Sequence, residues 1–166
     1  ETYRESWFPM VPPIKQLVQS NSKANTLRGM HRHLLQWDIW RFTSDEALVR
    51  LYDHSTGAQA IVKGDKSIVL AIPPGISHGF YSKDGCTLVY ALTNEYDGTD
   101  EYGWYPFDGL PLAWHFEGYG WSGFELGDVP ADKCTMPVNA GWPRSHDGLV
   151  MSERDLRAPK LVDFGA

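Results

Sequence analysis

Residues 58–75 read AQAIVKGDKSIVLAIPPG: two short runs rich in Val, Ile and Leu, parted by Gly64-Asp65 and closed by Pro73-Pro74-Gly75. Short aliphatic runs between turn formers are strand signatures, and Gly-Asp between two of them predicts a hairpin tip. Proline has no N–H to give a ladder, so the double proline must end a strand or lie on an edge. The rhythm continues on both sides, in DIWRFTSDEALVRLYDH (38–54) and CTLVYALTNEY (86–96). Turn residues recur at the spacing of about 8–12 expected of an antiparallel sandwich or barrel. Helical signal is confined to MSERDLRAPKLVDF (151–164), where Ser152 can cap a turn through Asp155 and Pro159 stops it. The span from about 106 to 147 holds Gly, Pro and Trp but few periodic apolar residues. It is too long for a plain loop, so we expect an irregular insertion, most distinct at about 115–147.

The chain has 166 residues, enough for one domain spanning 1–166 with a sizeable core. Hydrophobic (42%) and charged (22%) shares are ordinary, but the aromatic share of 13% is high and suits a wall against planar or sugar-like ligands. A net charge of −6 with no Lys/Arg run argues against a broad surface that tracks nucleic acid. A small phosphorylated ligand needs only a few placed cations and stays possible. Cys86 and Cys134 have no metal or disulfide spacing and read as reduced thiols of a cytoplasmic protein. No apolar run of about 18 residues and no signal-peptide pattern occurs, which argues against membrane insertion or export. The first residue is Glu1, as expected of a trimmed N-terminus.

TLRGMHRH (26–33) places two histidines one residue apart. On a strand His31 and His33 share a face, because side chains alternate. Metal-binding cupins use such a pair, then a carboxylate, then a later histidine after a PxGxxH turn. Asp38 and the His78 of PPGISH complete that set here, and the four suit Fe, Mn, Ni or Zn. A lone histidine in a core is more often simply hydrogen-bonded, a reading that weakens for three histidines and a carboxylate in this order.

A second pattern accounts for more residues. QSNSKANTLRGMH, IPPGISHGF, LVYALTNEYDGTDE and MSERDLRAP, in this order, resemble the dTDP-4-dehydrorhamnose 3,5-epimerase family. The resemblance runs from about residue 5 to residue 161, departing at 115–147. It implies an all-β, cupin-like (jelly-roll) antiparallel β-barrel with a short C-terminal helical segment, no metal, no cofactor, and a homodimer. It places the base on His31, the aspartate of a His–Asp dyad on Asp155 and the general acid on Tyr90. It places His78 in the substrate pocket, and nucleotide and diphosphate contacts on Gln19, Asn21, Arg28 and Arg154, the last where the family commonly has Lys. Tyr96 and Glu101 match positions close to the nucleotide, and Glu5 a residue lent by the neighbouring subunit.

Chemistry makes matching demands. Inverting a carbon beside a ketone removes a proton on one face and returns one on the other. An imidazole, with a reference pKa of about 6.5, is a suitable base when a carboxylate fixes its tautomer. A phenol, reference pKa about 10, is a suitable acid toward an enolate. The guanidinium fork of Arg28 suits a diphosphate. Two departures stand out. Where the resemblance expects a lysine near the enolate oxygen, taking Gln36 as its landmark puts Asp38, and His33 replaces a glutamine. A carboxylate cannot hold an oxyanion unless protonated or metal-bound. The insertion's Trp114, His115, Tyr119, Trp121 and Trp142 suit a pocket cover or an interface.

The function expected is epimerisation at C3, C5 or both of a 4-keto-6-deoxy sugar on a nucleoside diphosphate, without nucleic-acid or membrane partners. Three rivals are a metal-dependent oxygenase or isomerase using His31, His33, Asp38 and His78, a non-catalytic sugar-nucleotide binder, and a structural interaction domain. On the epimerase reading His31 and Asp155 lie within hydrogen-bond reach. His33 and Asp38 do not converge with His31 and His78 on one point, and the site holds no metal.

Overall fold

The computed structural model describes residues 4–96, 98–108, 114–115, 142–143 and 145–161. Its β-branched and aromatic runs form two sheets. One orders β1 (Gln16–Ser22), β8 (Cys86–Leu92), β3 (Asp38–Phe42) and β6 (Leu70–Ile72). The other orders β10 (Trp114–His115), β5 (Gln59–Gly64), β4 (Ala47–Asp53), β7 (Ile76–Ser82), β2 (Thr26–Arg32) and β9 (Tyr102–Gly103). Neighbouring strands run antiparallel except β10 beside β5. A 3₁₀ turn, η1 (Glu5–Trp7), precedes them and a four-residue helix, α1 (Glu153–Leu156), follows. The expected all-β, cupin-like fold with a short C-terminal helix is therefore present, although the two sheets are not closed into a barrel. Among the described residues no helix is long and apolar enough to cross a membrane.

The Gly64-Asp65 hairpin is not formed. β5 pairs with β4 in the six-stranded sheet while β6 pairs with β3 in the four-stranded one, so residues 65–69 pass between sheets. The turn chemistry is as read: Ser67 N–H donates to Asp65 Oδ1 at 2.7 Å. Turn residues report a reversal, not which strand pairs after it. Pro73 and Pro74 do end β6.

The sheets bury Trp40, Phe42, Val49, Leu51, Val62, Phe80 and Leu88 between them, each contributing about 1.5–3 kcal/mol on transfer from water. A second cluster joins Leu27, Met30, Ile61, Trp104 and Trp142. Arg50 threads into it fully buried, donating to the carbonyls of Pro106 and Asp108 and to Gln59 Oε1, each at 2.9 Å, with Trp104 5.1 Å below its guanidinium. Burial pushes this guanidinium down to about 10, so it stays charged at neutral pH and pins residues 104–108 to the sheet.

Candidate active site

Two motif glycines bring β2 and β7 unusually close. A Cβ on Gly29, whose φ is +119°, would stand 2.6 Å from Gly79 Cα, and one on Gly79 would stand 2.6 Å from the Arg28 carbonyl oxygen. Only bare backbone fits there. The ladder's register shifts between Arg28 and His31, a bulge that re-aims the strand before its histidine. His31 then pairs with His78 across the ladder.

His31 Nε2 lies 2.8 Å from Asp155 Oδ1. The cap of α1 holds that carboxylate in place: Asp155 N–H donates to Ser152 Oγ at 3.0 Å, and Gly29 N–H donates to Asp155 Oδ2 at 3.3 Å. Burial would raise the Asp155 carboxyl, but the hydrogen bond and charge of His31 hold it below the usual carboxylate range. The second imidazole nitrogen does not face open space, since Nδ1 is 3.3 Å from Glu101 Oε1. Glu101 accepts from Tyr96 Oη at 2.6 Å and from Arg154 Nη1 at 2.8 Å, while Arg154 Nη2 lies 3.1 Å from His31 Nε2. Glu101, expected near the nucleotide, thus stands against the histidine itself.

A cavity of about 280 Å³ opens before this histidine. Arg28, His31, His78, Tyr90, Tyr96, Glu101 and Arg154 all line it. Tyr90 pairs with Trp40 across β8 and β3, and burial, with the charge of Asp38, pushes its phenol up. Asn21 lines an adjoining cleft with Arg28, His31, Arg154 and Asp155. Gln19 is not brought in: burial alternates along β1, and it is exposed while Ser20, on the other face, lines the cavity. Glu5, in η1, is exposed and does not line the cavity of its own chain. Of the insertion's aromatic residues, Tyr119 and Trp121 lie outside the described residues, as does Cys134, and Trp142 is buried with its Nε1 donating to the Pro106 carbonyl at 3.2 Å.

His33, Asp38 and His78 meet at the inner end of the cavity, each offering a ligand atom within 4.8 Å of the others. His31, turned to Asp155, stands outside that group. The four therefore do not meet at one point, but three of them do. Burial, then His78, pushes His33 down. Asp38 is held below the usual range against its burial by a hydrogen bond from His78 and by the charges of His78 and His33, with Gln36 assisting. Trp40 and Ser20 also line the cavity and went unmarked in the motifs, and Gln36, read only as a landmark, lines it too. Period-two alternation along DIWRF carries the missing signal, since it puts Asp38 and Trp40 on one face.

Residues 1–163 match the family model for dTDP-4-dehydrorhamnose 3,5-epimerase. No curated protein sequence matches the chain. Solved structures of similar fold include the dTDP-4-dehydrorhamnose 3,5-epimerase of Sulfolobus tokodaii, 20% identical, with a TM-score of 0.67 over 98% of this chain and 81% of that one. ChmJ, a 3'-monoepimerase from Streptomyces bikiniensis in complex with dTDP-quinovose, is 21% identical, TM-score 0.68, over 98% and 75%. The dTDP-6-deoxy-D-glucose-3,5-epimerase of Legionella pneumophila, in complex with dTDP-4-keto-L-rhamnose, is 18% identical, TM-score 0.69, over 98% and 79%. At such identities these structures speak for the fold. The family model, matched along all but the last three of 166 residues, speaks for descent, and the chain belongs to the dTDP-4-dehydrorhamnose 3,5-epimerase family.

Proposed function

We propose that the chain inverts C3, C5 or both of a 4-keto-6-deoxyhexose carried on a nucleoside diphosphate, dTDP being the expected carrier, as a cytoplasmic homodimer acting through one domain. The observation that supports it most is a His31–Asp155 contact of 2.8 Å at a cavity that also holds Tyr90. In this reading His31 takes the proton from the carbon beside the ketone, and the C–H electron pair becomes the enolate. Asp155 and Glu101, 2.8 and 3.3 Å from its two nitrogens, stabilise the imidazolium so formed. Tyr90 returns a proton to the opposite face; solvent then reprotonates the phenolate and receives the proton from His31. Arg28, exposed on its outer flank and lining the mouth, binds the diphosphate, and Asn21, Tyr96 and Arg154 hold the nucleotide end.

Incubation of dTDP-4-keto-6-deoxyglucose in heavy water is expected to place deuterium beside the ketone, read by mass spectrometry and proton NMR. His31→Ala should lower the rate at least about 100-fold, within the range general bases contribute. Normal exchange in that variant would move the base elsewhere, and no exchange by the wild-type protein on any 4-keto-6-deoxy nucleotide sugar would end the epimerase reading.

A further inference from the structure

His33 and His78 are oriented alike. His33 Nδ1 lies 2.6 Å from the carbonyl oxygen of Asp100, and His78 Nδ1 lies 3.1 Å from that of Ile76. A carbonyl only accepts, so in the neutral rings both Nδ1 atoms carry the hydrogen and both Nε2 atoms keep a lone pair. Yet His78 Nε2 faces Asp38 Oδ2 at 3.5 Å, and His33 brings its own ligand atom within 4.8 Å of both. A proton on His78 gives Asp38 its hydrogen bond, and a metal ion at the same point would take electron pairs from all three groups.

We propose that His33, Asp38 and His78 form a binding site for one divalent first-row transition-metal ion, reversing the metal-free expectation. Two imidazoles and a carboxylate are a donor set for Fe, Mn, Co, Ni or Zn. The supporting hydrogen bonds of such a site are present: backbone carbonyls orient both rings, and Asp38 accepts from Gln36 Nε2 at 2.7 Å and from Trp40 Nε1 at 3.2 Å. The three ligands are 7%, 4% and 4% exposed, and all three line the cavity shared with His31 and Tyr90. Three protein ligands leave coordination positions free on that side, the pattern of catalytic rather than structural sites. Drawing the donors onto an ion at about 2.0–2.2 Å requires a modest inward movement of side chains.

The ion's role, though not its binding, rests on the epimerase reading. A bare Asp38 carboxylate would repel the enolate oxygen, whereas an ion bound to it would receive that oxygen and stabilise its charge while His31 holds the proton.

Protein stripped with a chelator and titrated with Co²⁺ alone is expected to bind one equivalent and to develop visible ligand-field bands. Asp38→Asn and His33→Gln should each weaken Co²⁺ by more than the roughly 10- to 100-fold that loss of a ligand's supporting partner costs. His31→Ala should bind it as the wild type does. Retained dTDP binding identifies the variants that are folded. Absence of stoichiometric Co²⁺ binding by the wild type, or unchanged binding in both folded variants, overturns the site. Deuterium exchange is read separately, in stripped and reloaded protein. Exchange lost on stripping and restored by Co²⁺ or Zn²⁺ supports the role, and exchange undiminished by stripping overturns it. Co²⁺ binding by a protein that exchanges no substrate in either state would sink the epimerase reading and leave the site standing.

Discussion

At the scale of single residues, His54 shows how the fold sets a charge state. Its Nε2 lies 2.7 Å from Ser77 Oγ, which already accepts from Trp104 Nε1 at 2.9 Å. The serine hydroxyl therefore has its own hydrogen to give and a neutral imidazole takes it. Burial, then the charge of Arg32, pushes this ring down to about 4, with Asp53 opposing. The unfolded ring, near its reference of about 6.5, binds a proton more readily than the folded one, so stability rises with pH between those values. We expect about 1–2 kcal/mol to be lost as pH falls from 6.5 to 4, less than the full shift implies because solvent reaches the half-buried ring. Urea unfolding across that range should show the slope in the wild type and a flatter one in His54→Gln. Equal slopes would place the titration elsewhere. Asp38 is the other instructive residue. Its departure from the expected lysine was plain in the sequence, but its grouping with His33 and His78 was not, because Asp38 is on β3 of one sheet while His33, just after β2, and His78, on β7, belong to the other.

At the scale of elements, the contact between β2 and β7 sets the site's geometry. Both strands carry a site histidine, and Gly29 and Gly79 let their backbones touch. Gly79→Ala would put a methyl 2.6 Å from the Arg28 carbonyl oxygen and 3.0 Å from Met30 Sδ. The strands must part, and overpacking of this kind costs about 1–3 kcal/mol. A displacement of about 1 Å at a reacting group can cost 10²-fold, so exchange should fall further than stability suggests. Urea midpoints and deuterium exchange on one preparation check this, and a variant with wild-type rate would show that the close approach does not govern the site. The same scale holds the misread hairpin. AQAIVKG and SIVLAIPPG were legible as strands divided by a turn, yet β5 finds β4 and β6 finds β3. Both runs are aliphatic enough to face a core from either sheet, so local pattern could not choose between partners.

At the scale of the whole molecule, the N-terminal region is where large apolar side chains face solvent together. β1 is an edge of its sheet, Leu17 upon it is 70% exposed, and Trp7 and Met10 before it are also exposed. An open edge with apolar side chains invites a second chain, and Glu5 beside them lines no cavity of its own protomer. We expect sedimentation velocity to give about twice the protomer's 18.8 kDa. Leu17→Lys should shift the mass toward the monomer. A monomeric wild type at micromolar concentration would refute the dimer and with it the lending of Glu5. Composition and alternation by themselves determined the strand-rich class, the ending of β6 at Pro73 and the cap of α1 by Ser152, because each depends on backbone chemistry within a few residues. The motif order sufficed to suggest the family. Tertiary structure alone decided that His31 and Asp155, 124 positions apart, meet at 2.8 Å, that Glu101 stands against the same ring, and that His33, Asp38 and His78 bring ligand atoms within 4.8 Å of one another. Such contacts depend on which strands become neighbours, and strand pairing is settled by burial over the whole chain rather than by any one stretch of it.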